Sequence, residues 1–233
     1  MTSYRITKFQ GSPLTNSPSA VLWDLDGTLI DTAPIHWQAW KEILVHENYA
    51  LSREVFASCF GMRNDTIIPM WLGPQVSAAD ITRIADAKET RFRELLEVLP
   101  LQLMPGVLDW LARLHQQGWR QAIATMAPRP NLDQMVRQAG IAKYLDAFAT
   151  AEDVARGKPE PDIFLTAAAR LGVPPSRCIV VEDAPAGVEA ARRAGMRSIS
   201  VGPAVPPGSA DLAISSLDRL PEDAFHRLLD SHP

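Results

Sequence analysis

Short apolar runs that stop at polar residues alternate along this chain with segments of helical periodicity. Runs of this length, bounded by polar or turn-forming residues, are typical of buried strands. They predict strands at 20–23, 121–124, 178–181, 197–201 and, more weakly, 212–214.

Apolar residues spaced three and four apart predict helices within 105–118, 162–171 and 185–194, each closed by a glycine. Strands that alternate with helices in this way predict an α/β fold, a Rossmann-like parallel sheet with helices on both faces. In such sheets ligands bind at the carboxyl ends of the strands. The polar residues that follow the apolar runs are therefore candidate site residues.

The stretch between the first two predicted strands has a different pattern. It lacks a strand signal but carries helical stripes of apolar residues: Trp37, Trp40, Leu44, Ile81, Ile84, Phe92, Leu95 and Leu96. This pattern predicts an inserted α-helical cap domain over 32–102, placed as a lid on the site. The α/β core domain would then comprise 20–31 and 103–233, preceded by a polar, flexible leader over 1–19 without the apolar region of a signal peptide.

Composition narrows the possible partners. Of the 233 residues, 46% are hydrophobic and 21% charged, and the net charge is −4. An acidic chain has no global basic field to attract nucleic acid, and no apolar run approaches the ~20 residues of a membrane span. We expect a cytoplasmic protein that binds neither nucleic acid nor membrane and is a monomer or homodimer. Cys59 and Cys178 are expected to be buried free thiols.

The motif Asp24-Leu-Asp26-Gly-Thr directly follows the first predicted strand. Residues two apart on a strand point to the same side, so Asp24 and Asp26 can share one site. Two carboxylates placed together repel each other unless a cation compensates, and Mg²⁺ prefers such oxygen ligands. Taken alone, the motif fits equally well a pair of aspartates that cap turn amides.

Three later polar positions also follow or lie between predicted elements. Thr125 ends a strand, Lys158 lies in a loop before a helix, and Glu182-Asp183 ends another strand. Each has a structural alternative: Thr125 as a helix N-cap, Lys158 as a solvated surface residue, and the acidic pair as a favourable helix start. All of these alternatives would have to hold together for the chain to lack a site.

These motifs, in this order, resemble those of the haloacid dehalogenase superfamily. The resemblance implies a phosphatase in which Asp24 is the nucleophile and forms an aspartyl-phosphate. It further implies that Asp26 is the general acid and base, that Thr125 binds the phosphoryl group and that Lys158 neutralises charge. The implied cofactor is Mg²⁺, held by Asp24, the backbone carbonyl of Asp26 and Asp183, with Glu182 supporting that shell.

The helical insert is similar to that of the subgroup containing β-phosphoglucomutase and phosphoglycolate phosphatase. By this resemblance His36, Arg63, Asn64 and Arg129 are candidate substrate-binding residues, although His36 fits equally well a helix start without a chemical task. The implied substrate is a small phosphorylated metabolite, such as a sugar phosphate or a phosphoglycolate-like compound.

The residues after Thr125 favour hydrolysis over the mutase reaction, because Met126-Ala-Pro-Arg-Pro130 stands where mutases carry a Ser-Lys-Asn-type run. A β-phosphoglucomutase-type phosphomutase remains the alternative within the family. A non-catalytic phosphate-binding or sensing protein is the alternative of another class.

Overall fold

The computed structural model describes residues 18–230, so most of the predicted leader and the last three residues lie outside the described part of the chain. The centre of the fold is a six-stranded sheet in the order β3-β2-β1-β4-β5-β6, and every pairing in it is parallel. The strands are β1 (Ala20–Trp23), β2 (Arg120–Ala124), β3 (Ala147–Ala149), β4 (Cys178–Glu182), β5 (Arg197–Val201) and β6 (Leu212–Ile214).

Two groups of α-helices surround this sheet within 18–230. The first group lies between β1 and β2: α1 (Ala33–Val45), α2 (Arg53–Cys59), α3 (Asn64–Leu72), α4 (Ala78–Val98) and α5 (Val107–Gln116). The others are α6 (Arg129–Ala139), α7 (Asp162–Leu171), α8 (Pro185–Arg193) and α9 (Ala224–Asp230). The predicted α/β class and all five predicted strands are thereby confirmed. The sequence pattern missed β3, a three-residue strand at the edge of the sheet.

Alternate residues of the central strand bury opposite faces of the sheet. Val21 and Trp23 belong to one apolar cluster, whereas Ala20 and Leu22 belong to another, and all four side chains are fully buried. This is the period of two that a strand covered on both faces requires. The strand order reverses direction beside β1, because the chain proceeds outward to β2 on one side and to β4 on the other. Such a switch point opens a crevice at the carboxyl ends of these strands.

Residues 33–98, which we call the helical insert, contain only helices among their regular elements and have an apolar cluster of their own. Its entry and exit lie side by side: the Asp31 amide donates to the Gln102 carbonyl at 2.9 Å, and Ile30 bridges Leu103. A segment that leaves and returns at one point can pack over the end of β1 without interrupting the sheet. No helix within 18–230 is long and apolar enough to cross a membrane.

Candidate active site

Three carboxylates converge at the carboxyl ends of β1 and β4. Asp24 follows β1, Glu182 ends β4 and Asp183 comes next, and one oxygen of each lies within 4.8 Å of the others. Asp24 and Glu182 are 6% and 1% exposed. Burial raises the pKa of Asp24 well above its usual value, and burial together with the Glu182 charge raises that of Asp183 to about 7. The cluster therefore concentrates negative charge that the protein alone does not neutralise.

Lys158 neutralises part of this cluster. Its Nζ lies 2.5 Å from Asp24 Oδ1 and 2.5 Å from Glu182 Oε1, in a side chain only 6% exposed. Burial alone would lower the pKa of Lys158, but the two carboxylates outweigh burial and hold it above its usual value. The lysine is therefore a fixed positive charge beside Asp24, as the sequence motif predicted, and not a solvated surface residue.

Glu182 uses both carboxylate oxygens to hold this arrangement. Oε1 accepts from Lys158, and Oε2 accepts from the Ala184 amide at 2.9 Å. A Cβ at Gly187, in the first turn of α8, would collide with the Glu182 carboxylate, so only glycine fits there. Glu182 is thus engaged within the protein, while Asp24 and Asp183 keep oxygens for another partner.

A divalent cation fits the chemistry of this donor set. The pKa values of Asp24 and Asp183 are raised first by burial and then by the neighbouring carboxylates, and a hard cation such as Mg²⁺ would relieve both effects through their oxygen ligands. Asp183 is held in place by Thr28, whose hydroxyl donates to Oδ1 at 3.2 Å. At Gly27, with φ of 91°, a side chain would strike the Asp183 carboxylate, so glycine allows the close approach.

The Asp26 carboxylate faces the helical insert and is not part of the acidic cluster. Its Oδ1 accepts from the Thr32 hydroxyl at 2.6 Å and from His36 Nε2 at 3.2 Å, and its Oδ2 accepts from Thr125 at 3.4 Å. Burial alone would raise the pKa of Asp26, but the hydrogen bond from His36, aided by the Thr32 hydrogen bond and the Lys88 charge, lowers it overall. Any role in a metal site is therefore left to its backbone carbonyl.

The tautomer of His36 follows from its two neighbours. Lys88 Nζ can only donate, and it lies 2.9 Å from His36 Nδ1, so that nitrogen accepts. The ring proton therefore resides on Nε2 and is donated to Asp26. Burial and the Lys88 charge lower the pKa of His36, which keeps the ring neutral, and the ring stacks on Phe92 at 4.0 Å. The structure brings His36 to Asp26, which the sequence left undecided.

A buried network behind His36 was not predicted. Glu89 accepts from Lys88 at 2.8 Å, from Asn64 at 2.6 Å and from Asn131 of α6 at 2.5 Å. It therefore links the helical insert to the sheet domain. Lys88 was detectable in the sequence, because it lies four residues after Ile84 and four before Phe92 on the apolar stripe of α4.

The cluster, Asp26 and Lys88 all line one cavity of about 270 Å³. His36 also lines it, as do Arg63 and Asn64 at the start of α3, so three of the four predicted substrate-binding residues reach the site. Thr125 lines it as well, and its hydroxyl accepts from the Ala127 amide at 3.0 Å. Thr125 is therefore a residue of the site loop and not a helix N-cap, because the N-cap of α6 is Pro128.

Arg129 is not brought into the cavity. Its Nε donates to Asp133 at 2.8 Å, one helical turn along α6, and its guanidinium lies 5.5 Å from the ring of Phe148. The spacing of four between Arg129 and Asp133 is favourable for an ion pair on an exposed helix and competes with a ligand role. The structure thus corrects the predicted placement of Arg129.

Fold and site together define an α/β enzyme with a buried acidic centre at the switch point of its sheet. The chain belongs to the haloacid dehalogenase-like hydrolase family, whose model matches residues 18–195. It is 31% identical over 213 residues to β-phosphoglucomutase of Bacillus subtilis (strain 168), covering 89% of this chain and 93% of that protein. It is 36% identical over 202 residues to hexitol phosphatase A of Escherichia coli (strain K12), covering 85% and 91%.

The fold also matches a solved structure along almost its whole length. The crystal structure of β-phosphoglucomutase from Clostridium difficile superposes with a TM-score of 0.84 at 25% sequence identity, covering 91% of this chain and 97% of that one. The recognition of the family from the sequence motifs is confirmed.

Proposed function

We propose that this protein is a Mg²⁺-dependent phosphomonoester hydrolase that acts on a small phosphorylated metabolite through an aspartyl-phosphate. The observation that carries the proposal is Asp24, a buried carboxylate that lines the cavity with Lys158 held 2.5 Å from its Oδ1. Phosphoryl transfer needs an in-line nucleophile and positive charge around the transferred group, and this pair supplies both.

The chain's own residues account for two half-reactions. In the first, an Asp24 oxygen bonds to phosphorus, the ester P–O bond breaks, and the leaving alcohol oxygen takes a proton from Asp26. An anionic phosphate raises the pKa of Asp26 on approach and so favours its protonated form. In the second, Asp26 removes a proton from water, which attacks the phosphorus and releases Asp24 and phosphate.

The same residues suit the implied cofactor. Asp24, Asp183 and the Asp26 carbonyl would hold Mg²⁺, with Glu182 supporting the site through Lys158. Bound there, the ion would neutralise charge on the transferred phosphoryl group. We further propose that 32–102 forms a cap domain that closes the cavity around the substrate, with Arg63 and Asn64 in contact with it.

The test is phosphate release from a panel of sugar phosphates, phosphoglycolate and an aryl phosphate, with Mg²⁺ or with chelator. Asp24→Asn should lower kcat by at least about 10³-fold, as loss of a nucleophile does. Asp109→Asn, an exposed aspartate on α5, is the matched control and should leave kcat unchanged. Release that persists in Asp24→Asn would refute the assigned nucleophile.

The similarity to β-phosphoglucomutase makes a phosphomutase the second candidate. Formation of glucose 6-phosphate from β-glucose 1-phosphate, without net phosphate release, would establish it. A folded protein that binds phosphate compounds but turns none over would instead be a sensor.

A further inference from the structure

Among residues 18–230, every cation that lines the cavity outside the phosphate site has a carboxylate partner. Besides Lys158, the cationic residues that line it are Arg63 and Lys88. Arg63 donates to Asp65 through Nε at 3.1 Å and through Nη2 at 2.8 Å. Lys88 lies 2.8 Å from Glu89. Each cation is therefore paired with a carboxylate that also lines the cavity.

Apart from Lys158, none of the described residues on the sheet side of the cavity adds positive charge. The loop after β2 lines it with Met126, Ala127 and Pro128, none of which has a side-chain donor. Arg129, the next residue, is turned toward Asp133. Within the described part of the chain, a second phosphate or a carboxylate on the substrate would thus meet only cations that are already paired, and would lie near Asp65 and Glu89.

The wall contributed by the helical insert is mainly apolar, formed by Trp40, Phe56, Phe60, Met62, Ile67 and Trp71. Two donors of cavity-lining residues are buried without a hydrogen-bond partner, Arg63 Nη1 and Trp71 Nε1. An unpaired buried donor favours a ligand that brings an acceptor. A ligand that presents a hydroxyl or carbonyl oxygen on an otherwise apolar face would suit both the apolar wall and the unpaired donors.

Resting on the proposed function, we infer that the substrate is the monophosphate of a neutral alcohol with an apolar face, and that bisphosphates and phosphocarboxylates are selected against. The volume of about 270 Å³ lies at the low end of small-molecule sites, which suits one phosphate and a compact body. A mutase must hold two phosphates in one cavity, so the same charge balance disfavours isomerisation.

Phenyl phosphate and 4-carboxyphenyl phosphate differ by one carboxylate and therefore isolate the selectivity. We expect kcat/KM to be at least 10-fold higher for phenyl phosphate. Equal values, or a preference for the carboxylate, would overturn the inference while leaving the hydrolase assignment intact. Hydrolysis of neither compound would count against the proposed function instead. In that case the Kd of each compound for Asp24→Asn is measured by calorimetry with Mg²⁺. Phenyl phosphate should bind at least 10-fold more tightly than 4-carboxyphenyl phosphate, and equal Kd values would overturn the inference.

Asp65→Asn tests the charge balance directly, because it leaves Arg63 with an uncompensated charge. The ratio of kcat/KM for the carboxylated over the neutral compound should rise at least fivefold. Asp80→Asn is the matched control, since Asp80 also pairs with an arginine of the insert, Arg83, but does not line the cavity. An unchanged ratio in Asp65→Asn, or an equal rise in Asp80→Asn, would overturn the inference.

Discussion

Replacing Glu89 by glutamine keeps the shape of the side chain and removes the charge that joins the helical insert to the sheet domain. Glu89 is 8% exposed and accepts from Lys88, Asn64 and Asn131. In Glu89→Gln the buried Lys88 loses its carboxylate partner. In addition, the new glutamine amide group points one of its hydrogens at a residue that is itself a hydrogen-bond donor. Asn131 cannot turn to accept it without losing the bond that its Oδ1 accepts from Arg93 at 3.0 Å.

The expected cost follows from this geometry. Removing one partner of a buried ion pair costs about 3–5 kcal/mol, because the remaining charge stays buried. The orphaned donor alone would cost about 1–3 kcal/mol, and the two effects overlap because they share one side chain. We expect Glu89→Gln to lower the free energy of unfolding by about 3–5 kcal/mol at pH 7.

Urea denaturation measures this loss, with Glu94→Gln as the control on the same helix. Glu94 pairs with Arg91, but its side chain is 57% exposed, so its loss should cost less than about 1 kcal/mol. A difference between the two variants below about 1 kcal/mol would refute the argument, since screening would then be as strong at Glu89 as at the surface.

The pH dependence of the stability loss in Glu89→Gln provides a second test of the role of the Glu89 charge. Burial alone would raise the pKa of Glu89, but the charge and hydrogen bond of Lys88, aided by the Asn64 hydrogen bond, outweigh burial and lower the pKa below its usual value. A carboxylate with a lowered folded pKa stabilises the protein above its unfolded pKa, and that stability is lost as the pH falls through the folded value. The difference in the free energy of unfolding between wild type and Glu89→Gln should therefore be largest near pH 7 and decrease below about pH 4.5.

Three further predictions concern the acidic centre and a buried thiol. Lys158→Met leaves Asp24 and Glu182 without their cation and should lower kcat for phosphate release at least about 10²-fold; a smaller loss would contradict the charge role. Gly187→Ala should displace Glu182 and lower kcat with little change in KM, and unaltered kinetics would show that the helix start can yield. Burial raises the pKa of Cys178 to about 12, so iodoacetamide at pH 8 should label it only in urea, as mass spectrometry can test.

The sequence predicted the parts of the fold that depend on local pattern. β1 and β4 are apolar runs buried on both faces, and each ends in carboxylates, so both strand and site could be inferred from adjacent residues. β3 was not predicted because a strand of three residues at the edge of the sheet is too short to show a recognisable apolar run. Both predicted free thiols, Cys59 and Cys178, are buried and unpaired within the described residues.

Contacts between distant segments were harder to infer. Glu89 looks like an ordinary solvated charge within α4, and only its distant partner Asn131 makes it part of the buried network. The spacing of Lys88 marks it as buried, but does not reveal its contact with His36. Conversely, Arg129 is adjacent to a site loop in sequence, yet its helix turns the guanidinium away. Adjacency in sequence fixes where a backbone goes, whereas side-chain direction depends on the helix that carries it.

The helices of the insert divide two tasks between them. α1 and α4 carry His36 and Lys88, which set the protonation of Asp26. The apolar wall from Phe56 to Trp71 belongs to α2, α3 and the loop between them, and no side chain of that stretch hydrogen-bonds Asp26 in the described structure. Under the proposed function, specificity can therefore change through substitutions in 56–71 while Asp26 keeps the contacts that suit it to acid–base catalysis. A mutational library confined to that stretch should yield changed substrate ranges far more often than inactive enzymes.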